Sequence, residues 1–447
     1  MESRTVADAV SASSLNRHHI GVVAACSLLM AIDGYDVVAY GSVLPMIMSE
    51  WDMDPVTAGS LGSLTLIAML IGGLFISPLA DRFGRRPLLI GCLAVASTGS
   101  FLCAFASGPV QMGAIRFVIG LALGALVPNM LSLVGEVTPR KYRALFVATV
   151  SAFYCLGGVA AAVASIGLES TWGWSGVFYL AGLPLLLIPI YLRALPESPD
   201  FLETQGRDEE LRKILSTIAP GVDPSSLSAP AAPSGQSARL RRLFTNGNAM
   251  KSVLIWVFFA MCMLLSYGLN TWLPKLMQTA GYSLSSALWT LVVLNAGGFV
   301  GAVVGGWIAG RTSYRSTMVA YFLMAVFALV GLSFNPGTVL INLFLFIAGA
   351  ASIGTLALVH AFAVEYYPSA VRSVGVGWAA GIGRLGAIAG PTLGGALLAL
   401  DLTFQQNFLL VAIPGIIGAI AVSAVAQTRF RIGGADRDAA VVGAPTA

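Results

Sequence analysis

Charged side chains are scarce in this sequence. Asp, Glu, Lys and Arg together make up 10% of its 447 residues, and only three residues are histidine. A soluble domain carries about 25% charged residues, so this shortage excludes a soluble globular protein, a coiled coil and a disordered chain. The five cysteines all lie in apolar runs and are expected to pack as small side chains rather than to form disulfides.

Motifs that carry enzyme chemistry are also missing. The sequence has no H-E-x-x-H, no Cys/His cluster, no nucleophile motif and no phosphate-binding loop. We therefore expect neither an enzyme nor a metal site, no cofactor and no nucleic-acid partner.

What the chain has instead is apolar residues, which make up 57% of it, and 50 glycines spread through the apolar stretches. They form twelve runs, most of them long enough to cross the ~30 Å hydrocarbon core as a helix. None alternates with the period of a transmembrane strand. We predict an all-α integral membrane protein whose helices lie at about 20–46, 56–79, 88–107, 110–135, 144–167, 174–193, 252–277, 284–309, 316–334, 338–364, 373–399 and 405–427.

Lysine and arginine are distributed very unevenly between the two sides of this bundle. If the N-terminus is inside, 22 of the 25 lie on the cytoplasmic side, and only Lys275 lies outside. Arg116 and Arg384 fall within the spans. This bias predicts an inner (plasma) membrane protein with both termini in the cytoplasm.

The two halves of the chain resemble each other at an offset of 229 residues. Glu136-x-x-Pro139 with Arg143 aligns with Glu365-x-x-Pro368 with Arg372. We expect two six-helix halves in parallel orientation, with a substrate site between them near the midplane. The predicted regions are an N-tail (1–19), an N-terminal half (20–193), a central loop (194–251), a C-terminal half (252–427) and a C-tail (428–447).

The central loop is the one soluble-looking region. We predict a short polar helix over 200–218, a flexible Pro-, Ser- and Ala-rich stretch over 219–238, and a basic segment at Arg239–Phe244. That segment either lies on the anionic inner leaflet or is part of a solvated tether between the halves.

Three motifs carry a family resemblance. The loop Asp81-Arg82-Phe83-Gly84-Arg85-Arg86 resembles the loop 2–3 signature of the major facilitator superfamily, and Arg116-x-x-x-Gly120-x-x-x-Gly124 resembles its second signature. Within that superfamily, Asp33-Gly-Tyr-Asp36 resembles the D-G-(F/Y)-D motif of the aromatic acid:proton symporters. The resemblance implies the major facilitator fold and uptake of benzoate, 4-hydroxybenzoate, protocatechuate or gentisate. The sequence departs from the first signature at Ser77, which stands where glycine is usual, and from its second copy at Gly310.

Asp33 and Asp36 lie one helical turn apart near the middle of the first span. Burial and a like-charged neighbour both favour the protonated form of a carboxylic acid. We expect at least one of them to carry the coupled proton, since acids inside a membrane are usually functional. The alternative is that both are permanently ionised and bound to arginine.

Arg384 and Arg116 are the cations available inside the bundle. A guanidinium can hold a carboxylate through two parallel hydrogen bonds. We expect one of them, with Arg384 preferred, to bind a substrate carboxylate and the other to pair with an aspartate of the first span. Alternatively, each only neutralises a buried acid.

Other side chains are candidates for ring and hydroxyl contacts or for proton relay. His360 can relay a proton or pack near the cytoplasmic end. Ring and hydroxyl contacts could come from Tyr35, Tyr40, Asn270 and Trp378, and from Trp256 and Asn295.

Loop residues are expected to form a cytoplasmic gate that breaks and reforms during alternating access, or to anchor the loops statically. We expect Asp81 to pair with the arginine-rich loop ends, with Glu136 and Arg143 meeting it, and the second half to repeat this arrangement. The predicted gate set is Asp81, Arg82, Gly84, Arg85, Arg86, Glu136, Arg143, Glu365 and Arg372.

The sequence as a whole predicts a monomeric carrier that imports a small aromatic carboxylate with protons. An exporter or carrier of another organic anion or drug is the alternative. A membrane-embedded enzyme is disfavoured because the sequence lacks enzyme motifs. Among receptors and channels, a pore would not require a two-half repeat with buried charges of both signs.

Overall fold

A computed structural model describes residues 5–220, 243–244, 248–367 and 371–425, and these residues are helical apart from short connections. Twelve long helices dominate. They are α1 (Arg17–Glu50), α2 (Pro55–Phe83), α3 (Arg85–Cys103), α4 (Pro109–Val137), α5 (Arg140–Leu168), α6 (Gly173–Ala194), α7 (Ala249–Thr279), α8 (Leu284–Arg311), α9 (Tyr314–Ser333), α10 (Thr338–Tyr366), α11 (Arg372–Leu398) and α12 (Phe404–Val425).

Capping residues account for where several of these helices begin. The side chains of Asn16, Asp54, Ser283 and Ser313 accept hydrogen bonds from the first free N–H groups of α1, α2, α8 and α9. Most helices are longer than the apolar runs that predicted them, because polar residues extend them past the hydrocarbon core.

Eleven of the twelve helices are long and apolar enough to cross a membrane. The twelfth, α11, is 27 residues long and spans about 40 Å, and it contains eight glycines and Arg384. The five cysteines, all described, are buried and free, as the sequence predicts.

The repeat seen in the sequence recurs as contacts between helices. Gly120 of α4 lies against the carbonyl of Thr65 in α2, with no room for a Cβ atom, and Gly349 lies against the carbonyl of Leu294 in the same way. Each residue of the second pair is 229 positions after its counterpart in the first. The halves α1–α6 and α7–α12 are therefore copies of one packing arrangement.

We call the end of the bundle where α1 begins the basic face, because Arg85, Arg143 and Arg372 lie there. We call the opposite end the far face. The hydrogen bonds that join the halves among the described residues lie between the middle of the bundle and the far face. The Ser63 hydroxyl donates to the Ile388 carbonyl at 2.5 Å and lies 2.7 Å from the Thr392 hydroxyl. Nearer the far face, Ser285 donates to Glu169 at 3.0 Å.

The connections at the basic face differ in part from the sequence prediction. The polar helix expected over 200–218 is two helices, Pro199–Thr204 and Asp208–Ile218, separated by Gly206 at a φ of 66°. A further short helix, Val6–Ser11, precedes α1. The flexible stretch after residue 220, most of the basic segment Arg239–Phe244 and the C-tail lie outside the described residues.

Candidate functional site

Asp36 and Arg116 form an ion pair inside the N-terminal half. Their charged atoms are 3.6 Å apart, and both residues are at most 3% exposed. Ser100 donates to Asp36 at 2.7 Å, and Arg116 donates to Thr65 at 3.1 Å. The Arg116 guanidinium also lies over the Tyr40 ring, 4.8 Å from its centre. This group of side chains from α1 to α4 already pairs the charge of Arg116.

Asp33, three residues before Asp36, has an electrostatic partner in the other half of the protein. It interacts electrostatically with Arg384 of α11 and with Asp36. Its carboxylate is 3% exposed, and one of its oxygens has no hydrogen-bond partner. One helical turn therefore separates an aspartate paired within its own half from one that interacts with the opposite half.

Arg384 is the only arginine in this interior region that is partly exposed. Across the described ranges, no side chain or carbonyl forms a hydrogen bond with its guanidinium, and no carboxylate lies within ion-pair distance of it. It interacts at longer range with Asp33, Tyr267 and His360. A guanidinium with five free N–H groups is suited to bind an incoming carboxylate through two hydrogen bonds.

Two tyrosines that the sequence analysis did not single out complete this region, which we call the central cluster: Asp33, Tyr154, Tyr267, His360 and Arg384. Tyr154 of α5 and Tyr267 of α7 interact through their hydroxyl groups across the two halves, and both interact with Asp33. The His360 ring is exposed and lies edge-on to Phe259 at 5.3 Å. Its Nδ1 lies 3.0 Å from the Leu356 carbonyl. No sequence signal distinguished these tyrosines from other aromatic residues of the spans.

The tyrosines predicted to contact the substrate instead bond within the N-terminal half. The Tyr35 hydroxyl donates to the Val177 carbonyl at 2.9 Å, and the Tyr40 hydroxyl donates to the Ala58 carbonyl at 2.7 Å. Tyr40 is 2% exposed. The structure brings neither of them to the central cluster.

The predicted contacts in the C-terminal half also lie elsewhere. Asn270 accepts a hydrogen bond from Asn295 at 2.8 Å, and these buried amides join α7 to α8. Trp378 stacks on Trp256 at 6.0 Å and is 46% exposed. It lies six residues before Arg384, about 9 Å along the helix axis.

Loop 2–3 forms a polar cluster at the basic face whose partners differ from the predicted ones. Glu136 pairs with Arg85, not with Asp81 or Arg143, and it accepts a hydrogen bond from Ser198 at 2.5 Å. Arg143 reaches Ser11 at 3.3 Å. The side chains of Asp81 and Arg82 are exposed, and the Arg86 guanidinium donates to the Leu192 carbonyl.

Glu197 is the central acceptor of this cluster, and the sequence analysis missed its role. Its carboxylate accepts hydrogen bonds from the backbone N–H groups of Arg85 and Arg86 at 2.8 and 3.1 Å. Gly84 adopts a φ of 98°, and a Cβ atom there would overlap the Glu197 carboxylate. This position of the loop signature therefore requires glycine, because any other residue is strained at this φ and because its Cβ atom would collide with Glu197.

The second half does not repeat this cluster. Glu365 is exposed, and within the described part of the chain it has no ion-pair partner. Arg372 donates to the Tyr367 carbonyl at 3.1 Å. The residue at the repeat position of Arg85 is Tyr314, which cannot form the ion pair.

The chain matches known sequences over most of its length. The model of the Major Facilitator Superfamily matches residues 26–391. The benzoate transport protein of Acinetobacter baylyi is 35% identical over 94% of this chain and 92% of its own length. The 4-hydroxybenzoate transporter PcaK of Pseudomonas putida is 34% identical over 94% and 95%, and the gentisate transporter of Corynebacterium glutamicum is 34% identical over 88% and 84%.

Solved structures share the fold at low sequence identity. A bacterial homologue of the human lysosomal transporter Spinster aligns with a TM-score of 0.72 and 17% identity, over 94% of this chain and all of that one. The xylose transporter XylE of Escherichia coli aligns with a TM-score of 0.71 and 14% identity, over 91% and 99%. With its twelve helices in two matching halves, this chain belongs to the Major Facilitator Superfamily, a family of membrane transporters and not of enzymes.

Proposed function

We propose that this protein imports a small aromatic carboxylate together with protons by alternating access. The single observation that supports this proposal most is the state of Arg384, a partly exposed guanidinium between the halves without a hydrogen-bond partner in the described structure. Arg116, by contrast, is 2% exposed and already paired with Asp36. We therefore assign the substrate carboxylate to Arg384 and a structural role to Arg116.

The names of the relatives support an aromatic carboxylate as the substrate class. Their names specify benzoate, 4-hydroxybenzoate and gentisate, each an aromatic ring bearing a carboxylate. The phenol group of Tyr267 interacts with Arg384, and that of Tyr154 interacts with Tyr267, so both could offer hydroxyl and ring contacts to such a molecule. We propose a benzoate-like anion as the substrate, without choosing among the ring substituents.

Asp33 is proposed to carry the proton. When Asp33 is ionised, it and Arg384 attract each other across the halves, which lets the empty carrier return. When Asp33 is protonated, that attraction is lost and Arg384 is free to hold the substrate carboxylate. Substrate and proton then bind together and leave together, which is the requirement for symport.

The membrane potential also favours a coupled proton. Bringing one anion into an inside-negative cell costs about 2.3 kcal/mol per 100 mV. One accompanying proton cancels the moved charge, and a second would add voltage drive. Uniport of the anion would not accumulate it.

We place the basic face in the cytoplasm, because 22 of 25 basic residues map to that side. The carrier would then be a multi-pass protein of the inner membrane, acting as a monomer. Tags at both termini and within 219–238 should be reachable only from the cytoplasm, and tags at Asp54 or Glu169 only from outside. Termini on opposite faces would contradict the twelve-helix topology.

Uptake into proteoliposomes tests the proposed activity. Labelled benzoate, 4-hydroxybenzoate and gentisate should each be assayed with the lumen one pH unit more alkaline, while valinomycin and potassium hold the voltage at zero. We expect at least one of them to accumulate above equilibrium, and an added proton ionophore to abolish the accumulation. Equilibration that does not respond to the gradient would contradict proton coupling, and export driven by it would favour an exporter.

A further inference from the structure

His360 of α10 is an accessible member of the central cluster to which the proposed function gives no role. Its ring is exposed, yet it lies edge-on to the fully buried Phe259 of α7 and interacts with Arg384 of α11. Arg384 is itself partly exposed. The two side chains therefore border the same open space between the helices.

Phe259 ties the positions of these two side chains together. A Cβ atom at Gly383, the residue before Arg384, would lie 3.2 Å from the Phe259 Cβ atom. The centre of the Phe259 ring lies 5.3 Å from that of His360. One buried phenylalanine thus contacts both α10 and the turn of α11 that carries Arg384, so the imidazole lies next to the site proposed for the substrate carboxylate.

A hydrogen bond to the backbone sets what His360 can offer. Its Nδ1 lies 3.0 Å from the Leu356 carbonyl, one turn earlier in α10. A carbonyl oxygen only accepts hydrogen bonds, so Nδ1 carries the hydrogen, and Nε2 of the uncharged ring is an acceptor. Nε2 lies at the outer end of the ring and has no hydrogen-bond partner within the described residues.

The other members of the cluster are less suited to accept a hydrogen bond from a bound substrate. The Arg384 guanidinium only donates. The hydroxyl groups of Tyr154 and Tyr267 interact with each other, and Asp33 is protonated in the loaded state of the proposed cycle. His360 is therefore the member of the cluster that has a free acceptor beside the bound carboxylate.

A hydroxyl group on the substrate ring would match this acceptor, whereas the ring of benzoate has no hydrogen to donate. We propose that His360 determines specificity for the ring substituent. Its Nε2 accepts a hydrogen bond from a ring hydroxyl, so the carrier binds hydroxylated aromatic acids more tightly than benzoate. This inference rests on the proposed function, because it needs the substrate carboxylate at Arg384.

Binding to the full-length protein in lipid nanodiscs, measured by calorimetry, tests the proposal. The probes are benzoate, 3-hydroxybenzoate, 4-hydroxybenzoate and 4-methoxybenzoate, which has the oxygen but no hydrogen to donate. We expect at least one hydroxybenzoate to bind about three- to tenfold more tightly than benzoate, as one hydrogen bond between neutral groups would give. 4-Methoxybenzoate should bind no more tightly than benzoate.

Three variants assign this preference to the imidazole. His360→Phe keeps a ring against Phe259 but has no acceptor, so the preference should fall to about one while the Kd of benzoate stays within twofold. His360→Gln places an amide oxygen near the position of Nε2 and should keep part of the preference. His18→Phe makes the same change at an exposed position at the start of α1 and should bind like the wild type. Normal binding of benzoate shows that each variant is folded.

Three results would overturn the inference and leave the proposed function standing. They are equal affinity of the wild type for benzoate and both hydroxybenzoates, a preference that survives in His360→Phe, and a preference lost as completely in His360→Gln as in His360→Phe. If no aromatic acid binds, benzoate included, the proposed function fails, and this inference fails with it.

Discussion

The Arg116 guanidinium lies 3.6 Å from the Asp36 carboxylate, and both side chains are almost completely buried within one half of the protein. Asp33, one turn earlier on the same helix, interacts with Arg384 of the other half. The first pair can stay in place while the halves rock, whereas the second must change as they separate. On this difference rest the proposed roles, a structural one for Asp36 and a coupling one for Asp33.

Removing either member of the Asp36–Arg116 pair should destabilise the protein. Asp36→Asn leaves a buried guanidinium without its counter-ion, and Arg116→Met leaves a buried carboxylate. Breaking a buried pair costs about 3–5 kcal/mol, but replacing both members is much less costly. The double variant should therefore unfold at a higher temperature than either single variant in detergent. If the double variant lost as much stability as the two single variants together, the two charges would not stabilise each other.

Asp33→Asn should separate coupling from binding. Asparagine mimics a permanently protonated aspartate, so the side chain can never become ionised inside the cell. The empty carrier then cannot return to the outward-open state, but exchange of substrate for substrate does not require the empty carrier to return. A one-unit pH gradient can support about a tenfold accumulation of an anion carried with one proton. In Asp33→Asn we expect the ratio of inside to outside substrate concentration to fall to about one, while counterflow persists.

Asp401→Asn makes the same chemical change on an exposed connection at the far face and should accumulate substrate normally. If Asp33→Asn also accumulates substrate normally, the proton site lies elsewhere, and His360 and Glu136 would be tested next.

Arg384→Lys should raise the KM for uptake while the protein still reaches the membrane. Lysine keeps the charge but loses the planar pair of donors, and a hydrogen bond to a charged group contributes about 1.5–3 kcal/mol. We expect a rise of about tenfold or more, and loss of measurable uptake in Arg384→Ala. Arg193→Lys, on the exposed end of α6, is the matched control. Unchanged affinity in Arg384→Ala would show that Arg384 does not hold the carboxylate.

Gly84→Ala should destabilise the loop at the basic face. A side chain at a φ of 98° is strained, and its Cβ atom would overlap Glu197, so we expect a loss of about 1–3 kcal/mol. Gly91→Ala is the control, because a Cβ atom there meets nothing within 4 Å in the middle of α3. That change should be neutral or stabilise by about 0.5–1 kcal/mol. Equal melting temperatures for the two variants would contradict this reading of the loop.

The sequence predicted the architecture well because its signals are coarse and redundant. Twelve apolar runs and a constant offset of 229 residues do not depend on which way any one side chain points. The contacts Gly120–Thr65 and Gly349–Leu294 show that the same offset governs packing. Charge identified the key interior residues for the same reason, since Asp33, Asp36, Arg116 and Arg384 are the ionisable groups near mid-membrane that stand out from apolar surroundings.

What the sequence could not predict was the direction of side chains around each helix. A span that is apolar on all sides has no amphipathic pattern to mark its inner face, so Tyr40 and Trp378 were as plausible as Tyr154 and Tyr267. The sequence also did not show which polar residues that are far apart in the chain form hydrogen bonds with each other. Glu197 lies 112 residues after Arg85, and nothing in its local sequence indicates that it accepts the N–H groups of loop 2–3.

Ser63 and Thr392 join the two halves on the far-face side of the bundle. The hydroxyls of Ser63 and Thr392, one from each half, are 2.7 Å apart, so cysteines at these positions lie within reach of a disulfide, whose Cβ atoms are about 3.5–4.5 Å apart. Oxidising the Ser63→Cys/Thr392→Cys variant should hold the halves together there and block both uptake and counterflow. Reduction should restore both, and each single variant should not respond to oxidant. Full counterflow in the cross-linked protein would mean that this contact does not open during transport.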